Sequence, residues 1–160
     1  MKIAIIAIGK LTRSPETELT KTYVERATNA GRSLGLGPVE VIEAESRKPG
    51  KAAEALALQP HLADAAKDGT WIIACDEHGQ ARPSRAFAEE IATLRDRGVR
   101  RLVFLIGGAD GLAPELLAKA SGKLAFGPQT WPHAMARAML AEQVYRAVTI
   151  LAGSPYHRDG

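Results

Sequence analysis

The carboxyl-terminal tail places three chemically versatile side chains next to one another, Tyr156, His157 and Arg158. A phenol can stack on a base, an imidazole can exchange a proton near neutral pH, and a guanidinium can hold a phosphate. This combination suits a nucleic-acid substrate. Chain ends are more often frayed than functional, so the tail alone leaves both interpretations open.

A glycine-rich turn, Leu105-Ile-Gly-Gly-Ala-Asp-Gly-Leu112, is the sharpest local motif. Gly107 and Gly108 follow an apolar run, and without a Cβ the backbone can turn sharply there and approach a ligand. A strand-to-helix turn without a ligand is the alternative. We expect a bulky residue at either glycine to abolish ligand binding and to leave the protein folded.

A second irregular segment leads into the last helical stretch and ends at His133. It contains Phe126, Gly127, Pro128, Gln129, Thr130, Trp131 and Pro132. Its glycine and prolines impose a backbone whose amide and carbonyl groups cannot all pair internally, so the loop can hydrogen-bond the base edge of a small ligand. A plain connection with Pro132 in the first helical turn explains the same residues equally well.

Other catalytic and metal-binding patterns are missing from the sequence. The four histidines lack metal-ligand spacing, and a lone Cys75 excludes a disulfide framework and a zinc knuckle, so we expect no metal. No Gly-x-Ser-x-Gly nucleophile elbow occurs. A flavodoxin-like nucleotide-binding oxidoreductase needs a phosphate loop after the first strand, and residues 9–14 offer only a poor one.

The net charge of +3 is mildly basic, which permits a nucleic-acid partner without requiring one. Arg95, Arg97, Arg100 and Arg101 cluster around Gly98. Such a cluster is usually solvated surface, although it can also help to hold a phosphate backbone.

The 160 residues, 46% hydrophobic and 24% charged, predict one globular domain over residues 1–160. The apolar run 3–8 is too short for a signal peptide, and no run approaches the roughly 20 residues that span a bilayer. We therefore expect a cytoplasmic protein without membrane contact, in which Cys75 stays reduced.

Short apolar runs alternate with longer helical patterns. Strands are expected at residues 2–8, 39–44, 71–76 and 101–106, with a weaker one at 123–126, and helices at 15–32, 51–67, 84–97, 114–120 and 132–151. The second strand alternates with Glu and should lie at an edge, Pro60 should interrupt the second helix, and Ser14 and Ser84 should cap helices. The last helix has an apolar stripe formed by Ala136, Leu140, Val144, Val148 and Leu151. This alternation predicts an α/β fold with a mostly parallel sheet flanked by helices, which binds ligands at the carboxyl ends of its strands.

Taken in order, the motifs resemble a known family. They run from Ile-Ala-Ile-Gly-Lys10 through Cys75-Asp76 to Leu-Ile-Gly-Gly-x-x-Gly111, and then to Pro132-His133, Glu142-Gln-Val-Tyr-Arg-Ala147 and Tyr156-His-Arg158. This is similar to the small bacterial SPOUT-class methyltransferases, which methylate N3 of a pseudouridine in large-subunit ribosomal RNA. The resemblance covers essentially the full chain.

The resemblance implies a SPOUT-type fold with a carboxyl-terminal trefoil knot, although knots are rare among folds. It also implies S-adenosylmethionine as cofactor, bound in a bent form. The implied cofactor contacts are Cys75, Gly107, Gly108 and the loop residues Phe126, Gly127, Pro128, Gln129, Thr130, Trp131 and Pro132.

For the substrate, the resemblance implies a homodimer with its active site at the interface, acting on the ribosomal RNA of assembled ribosomes. By residue type, His157 and His133 are the candidate bases, and Tyr156 suits stacking or hydrogen bonding to the base. Arg158 and Arg137 can hold phosphates.

The tail is expected to be exposed, to act on RNA rather than on the cofactor, and to cost little stability when removed. Met135 or Met139 is expected in the dimer interface. The alternative is a non-enzymatic RNA- or ribosome-binding module, which would use the same basic surface without a cofactor.

Overall fold

Strands and helices alternate along the chain in a computed structural model that describes residues 1–62, 65 and 68–159. The strands are β1 (Lys2–Ile8), β2 (Val39–Ala44), β3 (Thr70–Ala81), β4 (Arg101–Ile106) and β5 (Gly122–Ala125). The helices are α1 (Pro15–Gly31), α2 (Lys51–Leu58), α3 (Ser84–Asp96), α4 (Pro114–Lys119) and α5 (His133–Leu151).

The sheet has the strand order β2-β1-β4-β3-β5, and every neighbouring pair is parallel. This confirms the predicted α/β fold. β2, whose Glu residues alternate with apolar ones, lies at an edge as expected, whereas β1 and β4 are buried on both faces. A continuous apolar run is required in such central strands because helices cover both sides of them.

Alternate residues of the central strands fill two cores. Ile3, Ile5 and Phe104 pack toward the layer of α1, α3 and α5. Ile6 and Leu105 pack toward the layer of α2 and α4. The period of two along each strand thus divides the apolar side chains between the two helix layers.

The two predicted serine caps have different outcomes. Ser14 caps α1, since its Oγ accepts the Thr17 N–H at 3.2 Å. Ser84 does not cap α3, because the helix already begins at Ser84 and Pro83 occupies the capping position. The Ser84 hydroxyl donates instead to the Gln143 side chain of α5 at 2.8 Å, which ties the two helices together.

The second predicted helix is interrupted as expected. α2 ends at Leu58, and Pro60 lies in a 3-10 turn, Gln59–His61. The rest of that predicted stretch includes residues 63, 64, 66 and 67, which lie outside the described residues. In α5 the stripe residues Leu140, Val144 and Val148 are buried. No helix in the described part of the chain is long and apolar enough to cross a membrane.

Candidate active site

The parallel sheet brings the predicted cofactor segments to one edge. β4, β3 and β5 are neighbours, and Cys75 is in register with Ile106 of β4 and with Leu124 of β5. The turn that begins at Gly107 and the loop that begins at Phe126 therefore leave the sheet beside Cys75. Ligands of parallel α/β folds bind at this carboxyl edge.

Cys75 contributes a neutral surface to this edge. Desolvation by burial raises the pKa of its thiol to about 12. The thiol therefore keeps its proton at neutral pH, and thiolate chemistry is suppressed. A small protonated thiol can pack against a ligand without reacting with it.

The glycine turn is filled by protein atoms rather than kept open. A Cβ on Gly107 would lie 2.6 Å from the backbone carbonyl carbon of Gly111, and the Gly111 N–H donates to the Gly108 carbonyl at 3.1 Å. A Cβ on Gly108 would overlap the Glu54 carboxylate. A side chain at Gly107 therefore requires the backbone of the turn to shift, because the turn folds back on itself there. The expected effects of a bulky residue on folding and on ligand binding stay predictions.

The loop 126–132 is irregular and largely exposed. Gly127 has a φ of +94°, in the region that favours glycine. The Trp131 indole N–H donates to the Phe126 carbonyl at 3.1 Å and so closes the loop, while 42% of Trp131 remains exposed. Pro132 precedes the first residue of α5, the exposed His133.

Beside this loop lies the segment 76–79, of which the motifs in the sequence included only Asp76. β3 continues through it to Ala81, and the pairing with β5 shifts register between Cys75 and Gln80. The Asp76 carboxylate accepts the His78 N–H at 3.0 Å. A Cβ on Gly79 would lie 2.7–2.9 Å from the β5 backbone, so only glycine fits. A glycine within a strand often marks a bulge or a close approach of another backbone, so Gly79 was the signal in the sequence that could have identified this segment.

The tail packs against α5, and Tyr156 and His157 are half-buried there. This corrects the expectation of an exposed tail for these two residues, whereas Arg158 is exposed as expected. Tyr156 donates its hydroxyl hydrogen to Glu142 at 3.0 Å, and its ring packs 4.7 Å from the Tyr145 ring. The Arg146 guanidinium lies 4.9 Å from the ring centre of Tyr156. Burial, followed by hydrogen bonds to Tyr23 and Glu142, raises the pKa of Tyr156. The tail folds back because α5 presents this polar and aromatic surface to it.

His157 has a partner at each ring nitrogen. Its Nδ1 lies 3.1 Å from Arg146 Nη1, and its Nε2 lies 3.2 Å from Asp159 Oδ1. An arginine can only donate, so Nδ1 accepts, and in the neutral ring Nε2 carries the proton toward Asp159. Asp159 is itself paired with Arg85 of α3, which lowers the pKa of Asp159. Arg158 remains exposed.

Arg137, predicted to hold phosphates, does not reach the surface, and that prediction is wrong. It is 1% exposed, and its Nη2 donates to the Ile8 and Gly9 carbonyls at 2.6 Å each. Glu43 lies 3.8 Å away. Burial lowers the pKa of Arg137 against the opposing effect of Glu43. Its role is to fasten α5 to the carboxyl end of β1.

The arginine cluster lies at the opposite edge of the sheet, at the amino end of β4. Arg95 donates to the Leu34 carbonyl at 2.9 Å, Arg100 to the Asp68 carbonyl at 2.9 Å, and Arg101 to the His61 carbonyl at 3.3 Å. These arginines tie loops together on the far side of the sheet. They do not join the candidate site.

Comparison with known proteins decides the family. A family model described as "Predicted SPOUT methyltransferase" matches residues 1–157. The chain belongs to the SPOUT methyltransferase family. This confirms the resemblance seen in the motifs.

Relatives of this SPOUT methyltransferase match it over nearly its whole length. The Ribosomal RNA large subunit methyltransferase H of Phenylobacterium zucineum (strain HLK1) is 79% identical over 99% of this chain and 100% of its own. The protein of that name from Caulobacter sp. (strain K31) is 67% identical over 99% and 100%. The one from Dinoroseobacter shibae (strain DSM 16493 / NCIMB 14021 / DFL 12) is 50% identical over 99% of each chain.

A solved structure supports the fold of this SPOUT methyltransferase. A probable methylase family protein from Haemophilus influenzae Rd KW20 superposes with a TM-score of 0.53 at 16% identity, covering 94% of this chain and 66% of that one. At this identity the likeness concerns the fold alone. The trefoil knot stays a prediction.

The structure thus joins some of the predicted site residues and separates others. Cys75, Gly107, Gly108 and the loop 126–132 meet at one edge, whereas the tail packs further along α5. Among the described residues, no three His, Cys, Asp or Glu side chains form a group that could hold a metal ion.

Proposed function

We propose that this SPOUT methyltransferase uses S-adenosylmethionine to methylate N3 of a pseudouridine in large-subunit ribosomal RNA, on assembled ribosomes and as a homodimer. The observation that carries the proposal is the meeting of Cys75, Gly107 and the loop 126–132 at the ends of three adjacent strands. The names of the near full-length relatives support the choice of substrate.

The residues at this edge fit S-adenosylmethionine. The exposed loop residues Gln129 and Thr130 would offer peptide groups for the edge of an adenine, and the protonated Cys75 would offer a neutral surface. Cys75, Gly107 and the loop 126–132 would hold the cofactor. When bound, it supplies a methyl group on a sulfonium centre. The chain must then hold the acceptor nitrogen in line and give its proton a destination.

Two histidines can receive the N3 proton, and they differ in hydrogen bonding and exposure. His157 can accept a proton only at Nδ1, which now accepts from Arg146, so protonation must displace that contact. His133 is exposed at the start of α5, next to the loop 126–132, and needs no such change. In this proposal the exposed Arg158 holds a phosphate of the RNA.

Geometry along α5 supports a homodimer. Tyr156 contacts Glu142, which lies nine residues after His133 on the same helix. At a rise of about 1.5 Å per residue, that contact is about 14 Å along the helix from the cofactor loop. Reacting atoms must approach within about 3.5 Å. The tail of one chain is therefore better placed to serve the cofactor of a second copy.

The test combines three measurements. Calorimetry should show binding of S-adenosylmethionine, since a purely RNA-binding module would bind none. Mass spectrometry of ribosomal RNA from a deletion strain should show the loss of one methyl group at a pseudouridine. Sedimentation at micromolar concentration should show a dimer, and a monomer would contradict the shared site.

A further inference from the structure

We propose that Glu54 of α2 is a positioning residue for the cofactor, which acts by holding the amide of Gly108. This inference rests on the proposed function, because it gives the glycine turn a support that cofactor binding needs. The Gly108 N–H donates to Glu54 Oε2 at 3.2 Å. The two residues are 54 positions apart in the chain, so the contact exists only in the folded protein.

A contact with a residue outside the turn stabilises the conformation of the turn. Glycine loses more backbone freedom on folding than any other residue, and this turn holds three glycines, Gly107, Gly108 and Gly111. The bridge between Gly108 and Gly111 lies within the turn and moves with it. Glu54, by contrast, belongs to a helix whose neighbouring residues Ala55 and Leu58 are buried in the core. A charge-assisted bond from that helix holds the turn in one conformation.

The shape of the contact explains why position 108 is a glycine. A Cβ there would lie 3.0 Å from the Glu54 carboxyl carbon and would overlap Oε1. The carboxylate therefore lies directly against the Gly108 α-carbon. At Gly107 the obstacle is instead the Gly111 backbone. The two glycines are required for different reasons. At position 108 the steric conflict can be removed by shortening the Glu54 side chain, whereas at position 107 the conflict is with the backbone.

This difference allows a double-mutant test by calorimetric titration with S-adenosylmethionine. Glu54→Ala removes the acceptor, and Gly108→Ala pushes the flexible carboxylate aside, so each should weaken binding about tenfold or more. The double variant should bind like either single variant, because both changes break the same contact. Glu54→Gln keeps an acceptor oxygen and should stay within about threefold of the unaltered protein.

Glu45 provides the matched control. It lines the same surface cavity as Glu54, at the carboxyl ends of β1 and β2, and it is exposed. Glu45→Ala removes an equal charge and should leave the affinity unchanged. A second measurement needs no cofactor: exchange of the Gly108 amide hydrogen should be faster in Glu54→Ala than in Glu54→Gln or Glu45→Ala.

Each outcome decides the inference. Unchanged affinity in Glu54→Ala overturns it, and so does a double variant whose loss equals the product of the two single losses. Equal losses in Glu45→Ala and Glu54→Ala would mean that charge alone matters, which also overturns it. The unaltered protein could also bind no S-adenosylmethionine while exchange of the Gly108 amide still depends on Glu54. That result would contradict the proposed function, and it would still show that Glu54 holds the turn.

Discussion

The two ends of α5 carry the two halves of the proposed site, and they are built in opposite ways. At the amino end, the loop 126–132 is mostly exposed, and the indole of Trp131 bonds back to the loop's own backbone. At the carboxyl end, Tyr156 and His157 are held by side chains of α5, and Asp159 is held by Arg85 of α3. One end is an irregular, largely exposed loop, and the other carries side chains fixed by contacts with α3 and α5.

The difference indicates that one end of α5 serves cofactor binding and the other serves contact with RNA. Peptide groups in an irregular loop can match the fixed donors and acceptors of a small cofactor. Ordered side chains lose little rotamer freedom when they meet a large substrate, so they are prepared for it. Changes in the loop 126–132 should therefore alter cofactor affinity, and changes in the tail should alter methyl transfer to RNA.

The largest effect is expected from removing residues 156–160. Methyl incorporation into ribosomes should vanish, while the affinity for S-adenosylmethionine stays nearly unchanged. Because Tyr156 is packed and hydrogen-bonded, the truncation should also lower the free energy of unfolding by about 1–3 kcal/mol. Radiolabel incorporation measures methyl transfer, calorimetry measures the affinity for S-adenosylmethionine, and denaturation measures the free energy of unfolding. Tyr156→Phe, which loses only the hydroxyl, should retain most of the stability. Wild-type methylation by the truncated chain would show that the tail is a passive end.

Arg137→Met probes the region between the two ends. It leaves the Ile8 and Gly9 carbonyls without their donor, so the free energy of unfolding should fall by about 2–3 kcal/mol. Urea denaturation measures this. The exposed Arg158→Met should change stability by less than about 0.5 kcal/mol and should weaken RNA binding instead. An Arg137 variant with full stability and weakened RNA binding would restore the phosphate-binding role that burial argues against.

Trp131→Phe tests the amino end alone. The ring stays and the indole donor to the Phe126 carbonyl is lost, so affinity for S-adenosylmethionine should fall about fivefold. Methyl transfer at saturating cofactor should be nearly normal, because the tail is untouched. Calorimetry and methyl incorporation on one preparation separate the two effects. A loss of turnover with unchanged affinity would break the proposed division between the ends.

The smallest effect concerns Cys75 and alkaline pH. Burial raises the pKa of its thiol from 9.0 to about 12. Between these values the unfolded chain has lost the proton and the folded chain keeps it, so stability falls as pH rises from about 9 to about 12. Cys75→Ala should flatten this part of the profile, measured by urea denaturation at several pH values. Identical slopes would mean that the thiol is not desolvated.

Local patterns predicted most of the fold. The apolar runs of β1 and β4, the Glu alternation of β2 and the interruption before Pro60 all depend on residues close together in sequence, and the structure confirms them. Ser84 shows the limit of such patterns. Its type suits a cap, but a helix that begins at Ser84 itself turns the hydroxyl toward Gln143 of α5.

Residues close together in the chain were enough to predict the α/β alternation, the glycine turn, the irregular loop and the order of motifs that marks the family. Which side chains are available for chemistry depended instead on how distant segments pack. Arg137 is buried and links α5 to β1, the tail packs against α5, and Glu54 accepts the Gly108 N–H. The physical reason is that strand and helix patterns arise from neighbouring residues, whereas burial and hydrogen-bond pairing depend on contacts between distant segments, which no local pattern encodes.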